Sequence, residues 1–494
     1  MGDGHSVGDA SAEAPPLRLR TKLAFGIGSA AETIALFSLS SYGLLYYNQV
    51  LGLPGWMAGL AISLSFVIDG FADPIIGSLS DRTRSKWGRR HPYMFAAPIP
   101  IALFFFAIFN PPAGLDHNAL FAWFTCSVVG LRVSMGVFHT PHLALGGELS
   151  HSYIERSQVM AWNNFSTWIG GTAISLIALT FFFKATPEYP RGLLNPEPYL
   201  PFSILAAVSA MAILFASSWF TRDQIPRLPK PPADQAPFSP FEFLKDIGKV
   251  LANRNYVWLL AGLFAASLML GVRETLNLYV ATYYWELSSE LLRWYVVGSA
   301  AGFVAALLLT PRLHGRWSKR RIIIWSALGN AIFPCLAVLL RLSGFMFENG
   351  DPRLLITLVT FSAASYGSGA ILSISVLSAL ADVADENEVK FGLRQEGVLY
   401  STRALFAKLD TAVGAALAGL VLTLIAFPER AKPGTVAPEI VHQLALFMGP
   451  ISLIPGLIAV LLYAQFSISK HDHAATRARI SDLHRARAVA EQEG

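Results

Sequence analysis

The sequence predicts an all-α polytopic membrane protein of about twelve transmembrane helices in two six-helix pseudo-symmetric bundles. Three observations carry this expectation. Charged residues make up 14% of the chain and hydrophobic ones 53%, where a soluble domain carries about 25% charged residues. The apolar residues fall in long runs, and the mean hydropathy is +0.46. The basic residues gather in alternate short loops between those runs, the distribution that orients a chain in a bilayer. The net charge of +5 is therefore a topology signal, and nucleic acid is not expected as a partner.

Runs long enough to cross roughly 30 Å of hydrocarbon fall near residues 24–48, 55–79, 92–110, 119–146, 159–183, 200–220, 256–284, 291–310, 322–342, 354–380, 398–426 and 440–466. Residues 1–23 are expected to be a disordered cytoplasmic tail. Met1 to Pro16 lacks the basic start and short apolar core of a cleaved signal peptide, so the first span acts as its own insertion signal. Six runs make an N-terminal bundle over 24–220, and six more a C-terminal bundle over 256–466. Between them, 221–255 reads as a cytoplasmic linker. Its Pro226, Pro229, Pro231, Pro232, Pro237 and Pro240 favour an extended chain, and a short amphipathic helix is expected from Phe241. Residues 467–494 form a cytoplasmic C-terminal tail.

Orientation follows from the loops. Arg18, Arg20 and Lys22 precede the first run, Arg82 to Arg90 follow the second, and Arg312 to Arg321 follow the eighth. The opposite loops are sparse: the turn around Pro54 has no charge, and the next carries only Asp116 and His117. Both termini are then cytoplasmic. GSLSDRTRSKWGRR (Gly77–Arg90) and TPRLHGRWSKRR (Thr310–Arg321) occupy matched places in the two halves. This echo favours a duplicated architecture with the substrate between parallel halves at mid-membrane.

Cys126 and Cys335 both lie inside apolar runs. They read as packing residues, with no disulfide framework, zinc spacing or haem signature. No nucleophile motif, phosphate loop or metal-ligand set stands out. An enzyme is not expected, nor is a cofactor.

Charge inside the membrane is the remaining signal. An ionised side chain near the bilayer centre costs at least ~2.5–3.5 kcal/mol and marks function by default. Such residues are Glu32, Asp69, Asp73, Arg132, His139, Arg273, Glu274, Lys408 and Asp410. Asp69 and Asp73 are four apart, so they share one helix face about 6 Å apart along the axis. Such a pair can hold a proton, hold a cation, or be balanced by a basic side chain. Pro74 frees a backbone carbonyl one turn earlier, and Gly70 and Gly77 allow close helix approach. Trp162, Trp168, Tyr283 and Tyr366 are candidate cavity aromatics. The burst Asp81, Arg82, Arg84, Arg89 and Arg90 is a candidate cytoplasmic latch that breaks and reforms ion pairs.

These residues carry a resemblance. IDGFADPIIGSLSDRTRSKWGRRHP resembles the second helix and following loop of the glycoside–pentoside–hexuronide:cation symporters of the major facilitator superfamily. KLAFGIGSAAET (Lys22–Thr33) is similar to that family's helix-one opening. FHTPHLALGGELSHSYIERSQV (Phe138–Val159) is similar to its helix-four exit, and Ala379–Lys408 to its loop between helices ten and eleven. The resemblance implies the major facilitator fold and alternating-access symport. It further implies that Asp69 and Asp73 bind the coupling cation, that Glu32 recognises sugar hydroxyls, and that Lys408 lies near the site. His139, Asn163 and Arg132 complete the candidate substrate-binding set.

The departures favour a proton over sodium as coupling ion. Ala72 stands where the melibiose permease pattern has Asn. Gly136 and His139 stand where it offers a Thr and an Asp, Leu143 replaces a stacking Trp, and Asn163 replaces an Arg. Losing an amide and a hydroxyl weakens a sodium site at Asp69 and Asp73, while His139 suits a proton path. The Phe138-His139-Thr140-Pro141 pattern also resembles vertebrate lysophospholipid symporters, and plant sucrose transporters share a related basic loop. A lysolipid carrier is thus an alternative within transport. A non-transporting membrane sensor is the alternative of another class. The expected partners are a small-molecule substrate, a sugar or glycoside, and the lipid bilayer of a bacterial inner membrane, with the protein acting as a monomer.

Overall fold

A computed structural model describes residues 17–150, 152–228, 245, 247–391 and 396–468, with isolated positions from 475 to 485. Most of the expected N-terminal tail, the linker's centre (229–244) and most of the C-terminal tail lie outside the described residues.

Among the described residues, twelve helices are long and apolar enough to cross a membrane. In chain order they are α1 Leu19–Val50, α2 Gly55–Arg82, α3 His91–Phe109, α4 His117–Glu148, α5 Glu155–Phe182, α6 Tyr199–Arg227, α7 Arg254–Tyr284, α8 Ser289–Arg316, α9 Lys319–Leu342, α10 Pro352–Lys390, α11 Ser401–Leu424 and α12 Pro438–Tyr463. Every expected run is present. The ends move for local reasons. α6 runs past residue 220, and there the Arg222 guanidinium stacks 3.2 Å over the Trp219 ring. α7 opens where Asn253 caps it, its side chain accepting from the backbone amides of Asn255 and Tyr256. α10 continues ten residues past the expected 380, turning the start of the expected loop into helix. Its acidic residues find partners there: Asp382 pairs with Lys319 at 2.7 Å, and Glu386 with Lys390 at 2.6 Å.

The packing repeats itself. In the N-terminal half α1 packs on α5 and α6, α2 on α4, and α3 on α4 and α6. In the C-terminal half α7 packs on α11 and α12, α8 on α10, and α9 on α10 and α12. Adding six to each number in the first half gives the second. Between the halves α2 lies along α11, and its counterpart α8 meets α5 more lightly, where Trp168 and Phe303 stack at 3.7 Å. The expected two-bundle arrangement is therefore a duplicated one.

Small residues bring α2 and α11 together. A Cβ on Gly59 would stand 2.7 Å from the Ala415 carbonyl oxygen, and one on Gly419 would stand 2.4 Å from that of Gly55. Only glycine fits such a backbone contact. At the same end, π-helical turns close α1 (Tyr46–Val50) and α7 (Val280–Tyr284). Their side chains stitch the halves. The Tyr279 hydroxyl donates to Asn48 Oδ1 at 2.9 Å, and the Tyr283 hydroxyl reaches Gln49 Oε1 at 2.8 Å. Gln49 donates to the Pro428 carbonyl, and Arg430 to that of Leu51. This seam lies at the end of the helices opposite the chain termini.

Candidate functional site

The faces of α2 are set by its sequence. Leu64, Ile68, Phe71, Ile75 and Leu79, spaced by three and four, are all exposed. They form one stripe toward hydrocarbon. Asp69 and Asp73 fall on the other side, where α4 and α11 close over them. α4 comes close because it presents Gly136, whose Cβ, if present, would stand 2.9 Å from Asp73 Oδ1 and 3.6 Å from Asp69 Oδ1. One turn on, the Thr140 hydroxyl donates to Asp73 Oδ1 at 3.4 Å.

The two carboxylates are balanced by two cations. Lys408 Nζ of α11 sits between them, 2.8 Å from Asp69 Oδ2 and 2.5 Å from Asp73 Oδ2. Arg132 of α4 lies 4.0 Å from Asp69 Oδ2. Its Nε donates to Ser65 Oγ at 2.9 Å, and its guanidinium packs 3.4 Å over the Phe66 ring. Lys408 and Arg132, expected on the substrate side, thus lie on the aspartates. The lysine crosses from the C-terminal half to the N-terminal half to get there.

A second cluster lies beside the first. His139 Nδ1 of α4 is 2.8 Å from Glu32 Oε2 of α1, both side chains partly open. Asn163 of α5 accepts at 2.5 Å from the Ser29 hydroxyl, nearly one turn before Glu32. His142 is turned the other way. It is buried, it meets the Phe25 carbonyl at 2.9 Å, and it stacks on the Phe25 ring at 4.2 Å, a packing role. In the C-terminal half Arg273 is buried and donates to Ser452 Oγ and to the carbonyls of Asn330 and Ala331, tying α7 to α9 and α12. Glu274 beside it faces open space and accepts from the Tyr366 hydroxyl of α10 at 2.9 Å. Asp410 points away from Lys408 and is fully buried, with Ser267 beside its carboxyl group.

The basic loop forms its ion pairs with the end of α4. Arg90 meets Asp81 at 2.5 Å and Glu148 at 2.6 Å, and Arg89 meets Glu148 at 2.8 Å. Arg82 and Arg84 are exposed. These three pairs join α2, α3 and α4 within one half. The matched loop of the second half does the same through Lys319 and Asp382.

A family model described as MFS/sugar transport protein matches residues 24–470, a stretch that takes in all twelve spans and both clusters. The chain belongs to this family. Among curated relatives in the MFS/sugar transport family, an uncharacterised symporter of Synechocystis sp. is 24% identical over 92% of this chain and 95% of its own. An isoprimeverose transporter of Lactiplantibacillus pentosus is 22% identical over 81% of this chain and 79% of its own. A crystal structure of a D-xylose–proton symporter superposes with a TM-score of 0.61 at 13% identity, covering 91% of this chain and 98% of that one. The last likeness concerns fold alone.

Two residues that matter to these clusters escape a reading of the sequence. Thr140 returns a hydroxyl to the aspartates one turn from where the family pattern places it. Its spacing of four from Gly136 is the only signal. Glu148, the common acceptor of Arg89 and Arg90, closes an apolar run, and nothing local distinguishes it from any acid at a helix end.

Proposed function

We propose that this chain is a cation-coupled symporter that carries a sugar or glycoside by alternating access, with a proton favoured over sodium. Asp69 and Asp73 hold the coupling ion, and Glu32 with His139 holds cargo hydroxyls, supported by Asn163. The observation that carries the reading is Lys408, placed between the two aspartates from the opposite half. It occupies the position a sodium ion would need. Ala72 offers no side-chain oxygen and Gly136 none, which leaves the Thr140 hydroxyl as a poor ligand set for a metal that wants several oxygens.

A proton needs no such cage. When Asp73 takes one up, its charge pair with Lys408 is lost and the α2–α11 contact loosens at that level. When the proton leaves, the pair reforms. The two halves then rock about the glycine-lined seam. The basic terminal face lies in the cytoplasm of a bacterial inner membrane by the positive-inside rule, so the stitched seam lies outside and the ion enters from there in the alternate state. The path lies within one chain, consistent with a monomer. Uptake into proteoliposomes under imposed proton or sodium gradients tests this. Uptake that follows sodium and ignores a pH gradient refutes the proton assignment.

A further inference from the structure

Among the described residues, Glu274 is an intramembrane acid outside both clusters that faces open space. It lies ten residues from the end of α7, about 15 Å along the axis, and Tyr366 lies fourteen residues into α10, about 21 Å. Glu32 and Asp73 each lie eighteen residues from the same end of their spans, about 27 Å. Both acid sites therefore fall in the middle of long helices, at depths about 12 Å apart. α7 is an inner helix, packed on α11, α12, α1 and α10. An exposed carboxylate at that depth faces a water-filled interior rather than hydrocarbon. Tyr366, on α10, is the counterpart by number of α4, just as α7 is the counterpart of α1. The pair Glu274–Tyr366 thus joins the first and fourth helices of its half, as Glu32–His139 does in the other half, at a different depth.

The charge inventory of this interior decides what it can hold. Glu32, Asp69, Asp73 and Glu274 are four carboxylates. Lys408 and Arg132 are two permanent cations, and His139 is one imidazole. Each basic group is already engaged: Lys408 with both aspartates, Arg132 with Asp69 and Ser65, His139 with Glu32. Arg273, next to Glu274 in sequence, turns its guanidinium into carbonyl oxygens of α9. Glu274 itself has a phenol hydroxyl and no cation. An acidic sugar would meet a carboxylate and no unengaged base among the described residues, and juxtaposed like charges select against such a partner. A neutral polyol finds an acceptor in Glu274 and a donor and acceptor in Tyr366.

We infer that Glu274 and Tyr366 form the cargo-binding surface of the C-terminal half and restrict the cargo to uncharged or amine-bearing glycosides, excluding uronides and sulfonated sugars. This rests on the symport reading above. The test uses the full chain in proteoliposomes under an inward proton gradient, with labelled neutral glycosides, an amino-sugar glycoside and a glucuronide. Neutral or amine-bearing glycosides accumulate, and the glucuronide neither accumulates nor competes. Glu274→Gln and Tyr366→Phe raise KM for the accumulated glycoside about tenfold with kcat and proton coupling retained, and Glu274→Arg lets the glucuronide compete. Accumulation of the glucuronide by the unaltered protein overturns the cargo class and leaves the symport reading standing. An unchanged KM in both conservative variants overturns the site. Uptake of no glycoside of any charge removes the symport reading, and this inference with it.

Discussion

Lys408 and Asp73 are 335 residues apart in sequence and 2.5 Å apart in space. One stands on α11 and the other on α2, so this ion pair ties the two halves of the molecule at mid-membrane.

Asp73→Asn removes the proton acceptor and keeps the shape. Gradient-driven accumulation in proteoliposomes should vanish, while exchange of labelled for unlabelled cargo at equal concentration persists and expression stays normal. Normal accumulation in this variant would falsify the coupling role.

Lys408→Gln leaves two carboxylates facing each other with Arg132 alone to offset them. Breaking one side of a largely buried pair costs up to about 3–5 kcal/mol, less here because the lysine side chain is a quarter exposed. The variant should melt earlier in detergent. Adding Asp73→Asn should recover part of the loss, since the pair is then removed as a unit. A double variant no more stable than Lys408→Gln alone would show that the two charges are not coupled.

Gly59→Ala places a methyl 2.7 Å from the Ala415 carbonyl oxygen, a contact that only a backbone shift relieves. The melting temperature and uptake rate should both fall. Gly147→Ala is the control: that Cβ would meet nothing within 4 Å, and helix propensity favours alanine by about 1 kcal/mol. Equal behaviour of the two variants would argue against a tight seam.

Glu148→Gln removes the negative charge that Arg89 and Arg90 share and leaves only an amide oxygen to accept from them. Arg90 is only 5% exposed and Glu148 14%, so about 3 kcal/mol of stability is at stake. KM for cargo should not move, because the loop ties helices of one half. A large change in KM at unchanged melting temperature would instead place these pairs in the transport cycle.

The helices were legible because crossing a bilayer demands long apolar runs, and all twelve appear, with α6, α8 and α10 running further than expected. Asp69 and Asp73 were legible because charge there is costly and their spacing shares a face. Their company was not. That Lys408 would bridge them, that Arg132 would approach Asp69, and that Glu148 would gather two arginines all depend on pairings between distant helices, which hydropathy does not encode. The helical course of 381–390 is not legible in the sequence because acidic residues resemble a loop until Lys319 and Asn253 are seen to donate to Asp382 and Glu386. Glu274 was visible as a charge, but its open setting and its tyrosine needed coordinates.

The repeated packing scheme bears on how the molecule is put together. Each half satisfies its own terminal-face charges, through Glu148 in one and Asp382 in the other, while one apolar core runs across both. Among the described residues the halves meet through that core, a glycine-lined strip, seam hydrogen bonds, the Trp168–Phe303 stack and Lys408. Two separately synthesised polypeptides, one ending after α6 and one beginning before α7, are therefore expected to associate through these surfaces when expressed together in one bilayer.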